Sequence, residues 1–319
     1  MNVMITGATG FIGRNLIERC QSKGYDVRAC ARTQSSNIPQ NIDLHLIGNI
    51  LNNTKWSDVV RGIDVVIHTA ARVHIMGESA ANTLTEFRSV NTAGTLNLAR
   101  QAVKAGVKRF IFISSIKVKG EETQPSQPFK EDDSSIPTDP YGLSKYEAEQ
   151  GLLKLAQETD MEVVIIRPPL VYGPGVKANF STMMKWINKG IPLPFGSIDN
   201  KRSLVALDNL VSFIIRCIDH PKATNEIFLI SDGEDVSTTE LLQKVAKAFG
   251  KKAFLVPVPI WIMCFFAKLL GKEDVANRLF GSLQVDSSKA RELLDWRPVI
   301  TMDEQLKKIA DVIAMDKNT

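Results

Sequence analysis

The first thirteen residues constrain this chain more than any other stretch. Val3, Met4 and Ile5 make a short apolar run that stops at Thr6-Gly7-Ala8-Thr9-Gly10-Phe11-Ile12-Gly13. An amphipathic stretch follows, with Phe11, Ile12, Leu16 and Ile17 apolar and Arg14, Glu18 and Arg19 polar. The pattern predicts a strand, a tight turn and a helix opening at Gly10. Free backbone N–H groups and the dipole at a helix start favour an anion there. Glycines at 7, 10 and 13 remove the side chains that would hold a pyrophosphate off the backbone. The third also lets the helix pack close to the strand. A glycine triplet alone is a weak signal. At the head of an α/β pattern it points to a nucleotide site.

That pattern continues. Strand-like runs at 27–31, 44–47, 65–69, 109–114 and 162–167 alternate with helical patterns, among them 90–105 and 141–158. The expectation is an α/β doubly wound parallel sheet, with ligands at the carboxyl ends of its strands. After Arg167 the pattern is broken by Pro168, Pro169, Gly173, Pro174, Gly175, Pro192, Pro194 and Gly196, and helices return at 238–249 and 303–315. We read residues 1–167 as the nucleotide-binding domain, with a segment around 203–230 returning to it. Residues 168–319 are read as mainly a smaller, discontinuous C-terminal substrate lobe.

The net charge of +4 is spread without a basic block or an aromatic-interleaved stripe, so nucleic acid is not favoured. Cys20, Cys30, Cys217 and Cys264 are scattered singly, without metal-ligand spacing, as expected of cytoplasmic free thiols. The initial Met runs straight into a strand, which argues against a signal peptide. The stretch 255–267 is strongly apolar but short of the ~20 residues that span a bilayer, and it contains Pro257 and Pro259. It is expected as a buried core helix, with shallow docking on a membrane surface as the other reading.

Three polar groups carry the chemistry. Ser114-Ser115 ends the fifth strand. Asp139-Pro140 reads as the N-cap and first turn of a helix. Tyr141 and Lys145 follow four apart, on one helix face. An ammonium beside a phenol favours the phenolate, and a tyrosine tuned this way exchanges protons with a hydroxyl or carbonyl near neutral pH. Arg32, just past the second strand, stands where a carboxylate binds the adenosine ribose of NAD and an arginine accepts the 2′-phosphate of NADP. It favours NADP, with NAD left open. His68 has no acid/base partner in the sequence and is read as packing. Asn91 is read as opening a helix as its N-cap, with an amide able to organise the nearby loop.

The chain resembles the extended short-chain dehydrogenase/reductase family over nearly its whole length. The resemblance rests on the 6–13 turn, His68-Thr69-Ala70-Ala71, Asn91, Ser114-Ser115 with Val118 and Gly120, Tyr141-Gly142-Leu143-Ser144-Lys145, the Arg167-to-Gly175 stretch and the Asp286-to-Pro298 stretch. It implies a Rossmann fold, a nicotinamide cofactor, a nucleotide-sugar substrate and a homodimer. Ser115, Tyr141 and Lys145 would be catalytic, Lys145 also touching the nicotinamide ribose. Gly7, Thr9, Gly10, Phe11, Ile12, Gly13, Arg32, Asn49, Ile50, His68, Thr69, Ala70, Ala71, Arg72, Asn91, Ser114, Tyr141, Lys145 and Pro168 would line the cofactor. Arg202 matches a family arginine that meets a UDP pyrophosphate, and Asn179, Lys185 and Arg278 are further nucleotide contacts. Asn49 replaces an aspartate common in relatives. Lys117 and Lys119 replace the usual Thr and Tyr, and Lys117 stands where the sugar 4,6-dehydratases carry their acid, which argues against dehydration.

Within the family, Ala71-Arg72-Val73-His74-Ile75-Met76-Gly77-Glu78 and the 114–120 stretch look most like bacterial reductases and dehydrogenases acting at carbon 4 of UDP-linked 2-acetamido-2,6-dideoxyhexoses. UDP-N-acetylquinovosamine is the type, and the products serve surface polysaccharides. Hydride transfer with Tyr141 as acid or base is the expected reaction. A UDP-hexose or UDP-N-acetylhexosamine 4-epimerase retaining its NAD is the alternative. A nicotinamide-sensing regulator is a third reading, disfavoured by the intact Ser, Tyr and Lys.

Overall fold

The computed structural model describes residues 1–35, 38–73, 80–124, 126–176, 178–271 and 273–315. In chain order it contains β1 (Asn2–Thr6), α1 (Phe11–Ser22), β2 (Asp26–Ala31), β3 (Asp43–Leu46), β4 (Val65–His68), α2 (Ala80–Phe87), α3 (Thr95–Lys104), β5 (Arg109–Ile113), α4 (Pro140–Glu158) and β6 (Glu162–Arg167). There follow β7 (Leu170–Tyr172), α5 (Ala178–Asn188), β8 (Arg202–Ala206), α6 (Leu207–Asp219), β9 (Ile227–Leu229), β10 (Asp235–Val236), α7 (Thr238–Ala248), α8 (Ile260–Leu269), α9 (Glu273–Phe280), α10 (Ser288–Leu294) and α11 (Met302–Met315).

Seven strands join in the order β3-β2-β1-β4-β5-β6-β9, all parallel. A parallel sheet is covered on both faces, so its strands read as continuous apolar runs rather than alternating ones. All five residues of β5 are accordingly buried. Along β1 the side chains divide by face. Val3 and Ile5 pack with Leu16 of α1 and Phe213 of α6, while Met4 packs with Leu98 of α3 and Leu152 of α4. The strand order reverses between β1 and β4, and a crevice opens there at the strands' carboxyl ends.

The second lobe has its own sheet, β10-β8-β7, with β7 parallel and β10 antiparallel to β8. Its core joins Tyr172, Phe180, Leu204, Leu242 and Leu306. A buried polar knot ties it to the Rossmann sheet. Asp232 accepts from Tyr172 Oη at 2.7 Å, from Ala206 N at 2.8 Å and from Asn209 Nδ2 at 2.7 Å.

Two sequence expectations fail here. The pattern at 90–105 is helical, but the helix does not begin there. Residues Arg88–Gly94 form a π-helical turn between α2 and α3. Asn91 therefore lies inside a helical segment and is not an N-cap, because wider i→i+5 winding adds a residue that the apolar spacing does not reveal. The stretch 255–267 is not a buried helix either. No residue of α8 is buried, and Trp261, Phe265 and Leu269 are 73%, 63% and 72% exposed. The lobe's core is already closed by α5, α7 and α11. Leu255 still reaches it from the segment that precedes Pro257 and Pro259, whereas α8 stands outside. Among the described residues no helix is long and apolar enough to cross a membrane.

Candidate active site

The cradle for an anionic cofactor is built from backbone. Gly7 takes a positive φ of 69° and its carbonyl accepts from Gly10 N at 2.8 Å, which turns the chain into α1 with Gly10 as a cap that offers no side chain. A Cβ on Gly7 would lie 2.8 Å from Ala70 N, and one on Gly13 would overlap the Gly7 carbonyl. The amides opening α1 are thus bare toward the crevice, as a pyrophosphate requires. Thr9 and Gly10 are exposed there, while Phe11 and Ile12 pack partly on the core.

The far wall comes from β4. His68 is buried between two hydroxyls, Nδ1 at 2.7 Å from Thr6 Oγ1 and Nε2 at 2.9 Å from Thr95 Oγ1. Burial, with Lys145 nearby, lowers its pKa to about 3, so it is a neutral spacer between β1, β4 and α3. Thr69 donates to Thr6 O at 2.7 Å, and Thr69, Ala70, Ala71 and Arg72 are half-buried along the crevice. Asn91 does organise the loop: Oδ1 accepts from Arg72 N at 2.8 Å and Nδ2 donates to Arg72 O at 3.1 Å and Ser144 Oγ at 3.0 Å. It joins the β4 loop to α4 one residue before Lys145. Ile50 is buried against Gly94, and Asn49 and Arg32 are exposed. The stretch 74–78 lies outside the described residues.

Ser115, Tyr141 and Lys145 converge from two elements, the turn after β5 and the helix α4. Ser115 caps a short 3₁₀ turn (Ile116–Val118) after β5. Asp139 caps α4, accepting from Gly142 N at 2.7 Å, with Pro140 in the first turn. Gly142 brings the two segments together, since a Cβ there would sit 2.5 Å from the Lys117 carbonyl. That contact lies between the serine turn and the tyrosine helix, and the Tyr141 phenol hydrogen-bonds the Ser115 side chain. Sequence reasoning quoted Gly142 only as a motif letter; its place between Tyr141 and Lys145 was the available signal. Ser114 is buried and its Oγ has no partner among the described residues. Pro168 is buried and its carbonyl accepts from Ile116 N at 3.0 Å, bracing the serine turn.

The electrostatics correct one expectation. The Tyr141 phenol is not lowered toward neutrality. Burial and the neighbouring Asp139 carboxylate push it up to about 12, and only the Ser115 hydrogen bond acts the other way. Lys145 is itself displaced, to about 7, because it is 1% exposed. Its ammonium donates to Ile113 O at 2.9 Å and lies 4.4 Å from the Phe112 ring centroid. Sharing a helix face did not decide the matter, because desolvation of the whole face works on both groups. Glu149, one turn on, favours the lysine's charge and is held in a buried pair with Arg167 at 2.7 Å.

Beside these groups lies a cavity of about 340 Å³ lined by Lys117, Glu122, Thr138, Asp139, Asn277 and Arg278 among others. Lys117 pairs with Glu121 at 2.6 Å and Asp139 at 3.5 Å. Arg202 is held by Gly281 O at 2.9 Å, with the Glu122 carboxylate acting on it. Arg202 comes from β8 and Arg278 from α9; Glu122 acts on the first and lines the cavity with the second. Lys185 is exposed on α5, and the Asn179 side chain lies outside the described residues. Lys119 is structural, its ammonium donating to the Asp133 carbonyl.

The family model for the NAD-dependent epimerase/dehydratase family matches residues 3–231. A UDP-glucose 4-epimerase of Vibrio cholerae is 50% identical over 319 residues, covering 99% of this chain and 97% of its own. A 3-beta-hydroxysteroid dehydrogenase of Mycolicibacterium neoaurum is 30% identical, covering 78% and 70%. Among solved structures, a UDP-glucuronic acid 4-epimerase of Bacillus cereus in complex with NAD superposes with a TM-score of 0.79 at 24% identity, covering 99% of each chain.

Proposed function

The chain belongs to the NAD-dependent epimerase/dehydratase family, and we propose that within it the chain is a UDP-hexose or UDP-N-acetylhexosamine 4-epimerase that keeps NAD bound. The observation that carries this reading is the end-to-end likeness to the Vibrio cholerae UDP-glucose 4-epimerase, at 50% identity, together with an intact Ser115, Tyr141 and Lys145. It replaces one-way oxidoreduction at carbon 4 as the leading reading. The glycine cradle at 7, 10 and 13 suits a dinucleotide, with 1–167 and the returning 203–230 segment holding it and 168–319 mainly holding the sugar nucleotide.

When bound, NAD supplies reversible hydride storage. The chain's own residues manage the proton and the pose. Tyr141 takes the proton from the 4-hydroxyl as a base and returns it as an acid. Ser115 holds the same oxygen, and its hydrogen bond to Tyr141 favours the phenolate when the proton is to be taken. Lys145, anchored on Ile113 O, holds the cofactor's ribose. Arg202 and Arg278 meet the UDP pyrophosphate, where a guanidinium's planar fork suits phosphate oxygens, and Asn179 supports the nucleotide. The two-phosphate ligand settles into the cavity beside Glu122. Homodimerisation through α3 and α4, and a cytoplasmic setting, belong to the same reading.

The second reading, NADP-linked reduction or oxidation at carbon 4 of a UDP-linked 2-acetamido-2,6-dideoxyhexose, is favoured by one observation. Arg32 is exposed just past β2, where no carboxylate stands for the ribose of NAD. One experiment separates the two. Purified protein is given UDP-glucose, UDP-N-acetylglucosamine and UDP-N-acetylquinovosamine, with and without added NAD or NADP, while reduced-nicotinamide absorbance and sugar products are followed. Interconversion of 4-epimers without added cofactor and without net absorbance change is expected. Stoichiometric turnover of added nucleotide with no epimer formed overturns the epimerase reading in favour of the second.

A further inference from the structure

The helix α8 is the least accounted-for element of the fold. It is ten residues long, Ile260-Trp261-Ile262-Met263-Cys264-Phe265-Phe266-Ala267-Lys268-Leu269, and none of them is buried. Trp261, Phe265 and Leu269 share one line at i, i+4 and i+8, and Phe266 and Leu270 continue the next line at 55% and 69% exposed. The segment leading into it adds Phe254 and Val256, 58% and 48% exposed. Apolar surface of this extent on a folded chain marks something that covers it.

We propose that α8 docks the protein shallowly on a bilayer surface rich in anionic headgroups. Three observations select that occupant. The first is the face itself: α8 packs on α9 along one side and turns Trp261, Phe265, Phe266 and Leu269 outward, and a helix lying in the interface plane buries such a Trp-, Phe- and Leu-rich face at the boundary of headgroups and acyl chains. The second is charge. Residues 251–274 carry Lys251, Lys252, Lys268 and Lys272 against Glu273 and Asp274, and an excess of basic residues along an apolar segment complements anionic lipid. The third is size. A ten-residue helix is about 15 Å long, and pairing one such face with its copy falls well short of the ~1,200 Å² that stable interfaces bury, while setting the basic residues of the two segments against each other. The apolar length is too short to span, so the helix lies on the membrane.

The docking element is coupled to the site. α8 packs on α9, and α9 supplies Asn277 and Arg278 to the wall of the cavity beside Tyr141 and Ser115. Docking therefore sets that cavity close to the membrane surface. This inference rests on the exposed helix and its charge, and stands whether the chemistry is epimerisation or one-way oxidoreduction.

The test uses the full chain and sedimentation with phosphatidylcholine vesicles, with and without phosphatidylglycerol. Cys264 is exposed on α8 and the other three cysteines are buried, so a polarity-sensitive thiol dye reports the helix directly. Binding to phosphatidylglycerol-containing vesicles with a blue shift of the dye is expected. The Trp261→Ser/Phe265→Ser/Leu269→Ser variant should lose roughly a hundredfold in partitioning, with its melting profile and its activity on a water-soluble UDP-sugar unchanged. Absence of vesicle binding by the wild type overturns the proposal. Self-association in sedimentation equilibrium that the triple variant abolishes, without vesicle binding, assigns the face to a second copy instead. Equal binding to phosphatidylcholine alone overturns the anionic selectivity.

Discussion

Gly142→Ala tests how the catalytic groups are brought together. A Cβ at this position would lie 2.5 Å from the Lys117 carbonyl, where ordinary contact begins at 3.4 Å, so α4 and the serine turn must part by about 0.9 Å. Alanine in a helix is otherwise favourable by about 0.5–1 kcal/mol over glycine. Overpacking of this kind costs about 1–3 kcal/mol, so the helix gain offsets part of it and global stability should fall by no more than about 2.5 kcal/mol. Activity has no such compensation. Moving Tyr141 off Ser115 by close to 1 Å is the displacement that costs roughly a hundredfold in rate, and the Asp139 cap on Gly142 N lengthens with it. Turnover of UDP-sugar by Gly142→Ala, measured beside its thermal unfolding, should therefore show kcat down about a hundredfold with a small change in Tm. A variant within twofold of wild-type kcat would refute the argument that this contact sets the Ser115–Tyr141 distance.

Gly13→Ala places a methyl into the Gly7 carbonyl at the α1 start; protein purified and denatured should release far less bound nicotinamide nucleotide than wild type. Lys145→Met should abolish turnover yet raise Tm by about 2–4 °C at pH 6, since a buried charge is replaced by an apolar chain. The sign follows from the lysine's folded pKa of about 7, below its usual 10.5. The unfolded chain holds the extra proton between those values, so the penalty is full below pH 7 and gone above 10.5, and the Tm advantage should shrink as pH rises from 7 to 10. An advantage that grows with pH would refute it. Glu149→Ala strands the Arg167 guanidinium, 3% exposed, and should cost about 3–5 kcal/mol, read as a lower urea midpoint.

Much of this molecule was legible from local chemistry. The 6–13 turn, five further strands and α4 were readable because buried parallel strands are continuous apolar runs and because glycine and proline mark where they end. The order Gly–Ser–Tyr–Lys along the chain named the catalytic candidates for a related reason: the glycines, Ser115 and Tyr141 sit beside element ends that a local signal marks, and Lys145 follows Tyr141 by one helical turn. Family resemblance added Arg202 and Arg278; Arg278 lines the cavity, and Arg202 feels the charge of Glu122 in its wall.

What tertiary structure alone decided concerns properties that depend on the neighbours a residue acquires. The Tyr141–Lys145 spacing was visible, but desolvation by surrounding elements set both pKa values and drove the phenol upward. Asn91 looked like a helix start until π winding placed it inside one, clamped to Arg72 and Ser144. The apolar composition of α8 was equally plain, yet composition states only that a segment prefers to be covered. Whether the fold itself covers it depends on how much core the rest of the lobe has already closed, and here α5, α7 and α11 close that core without it.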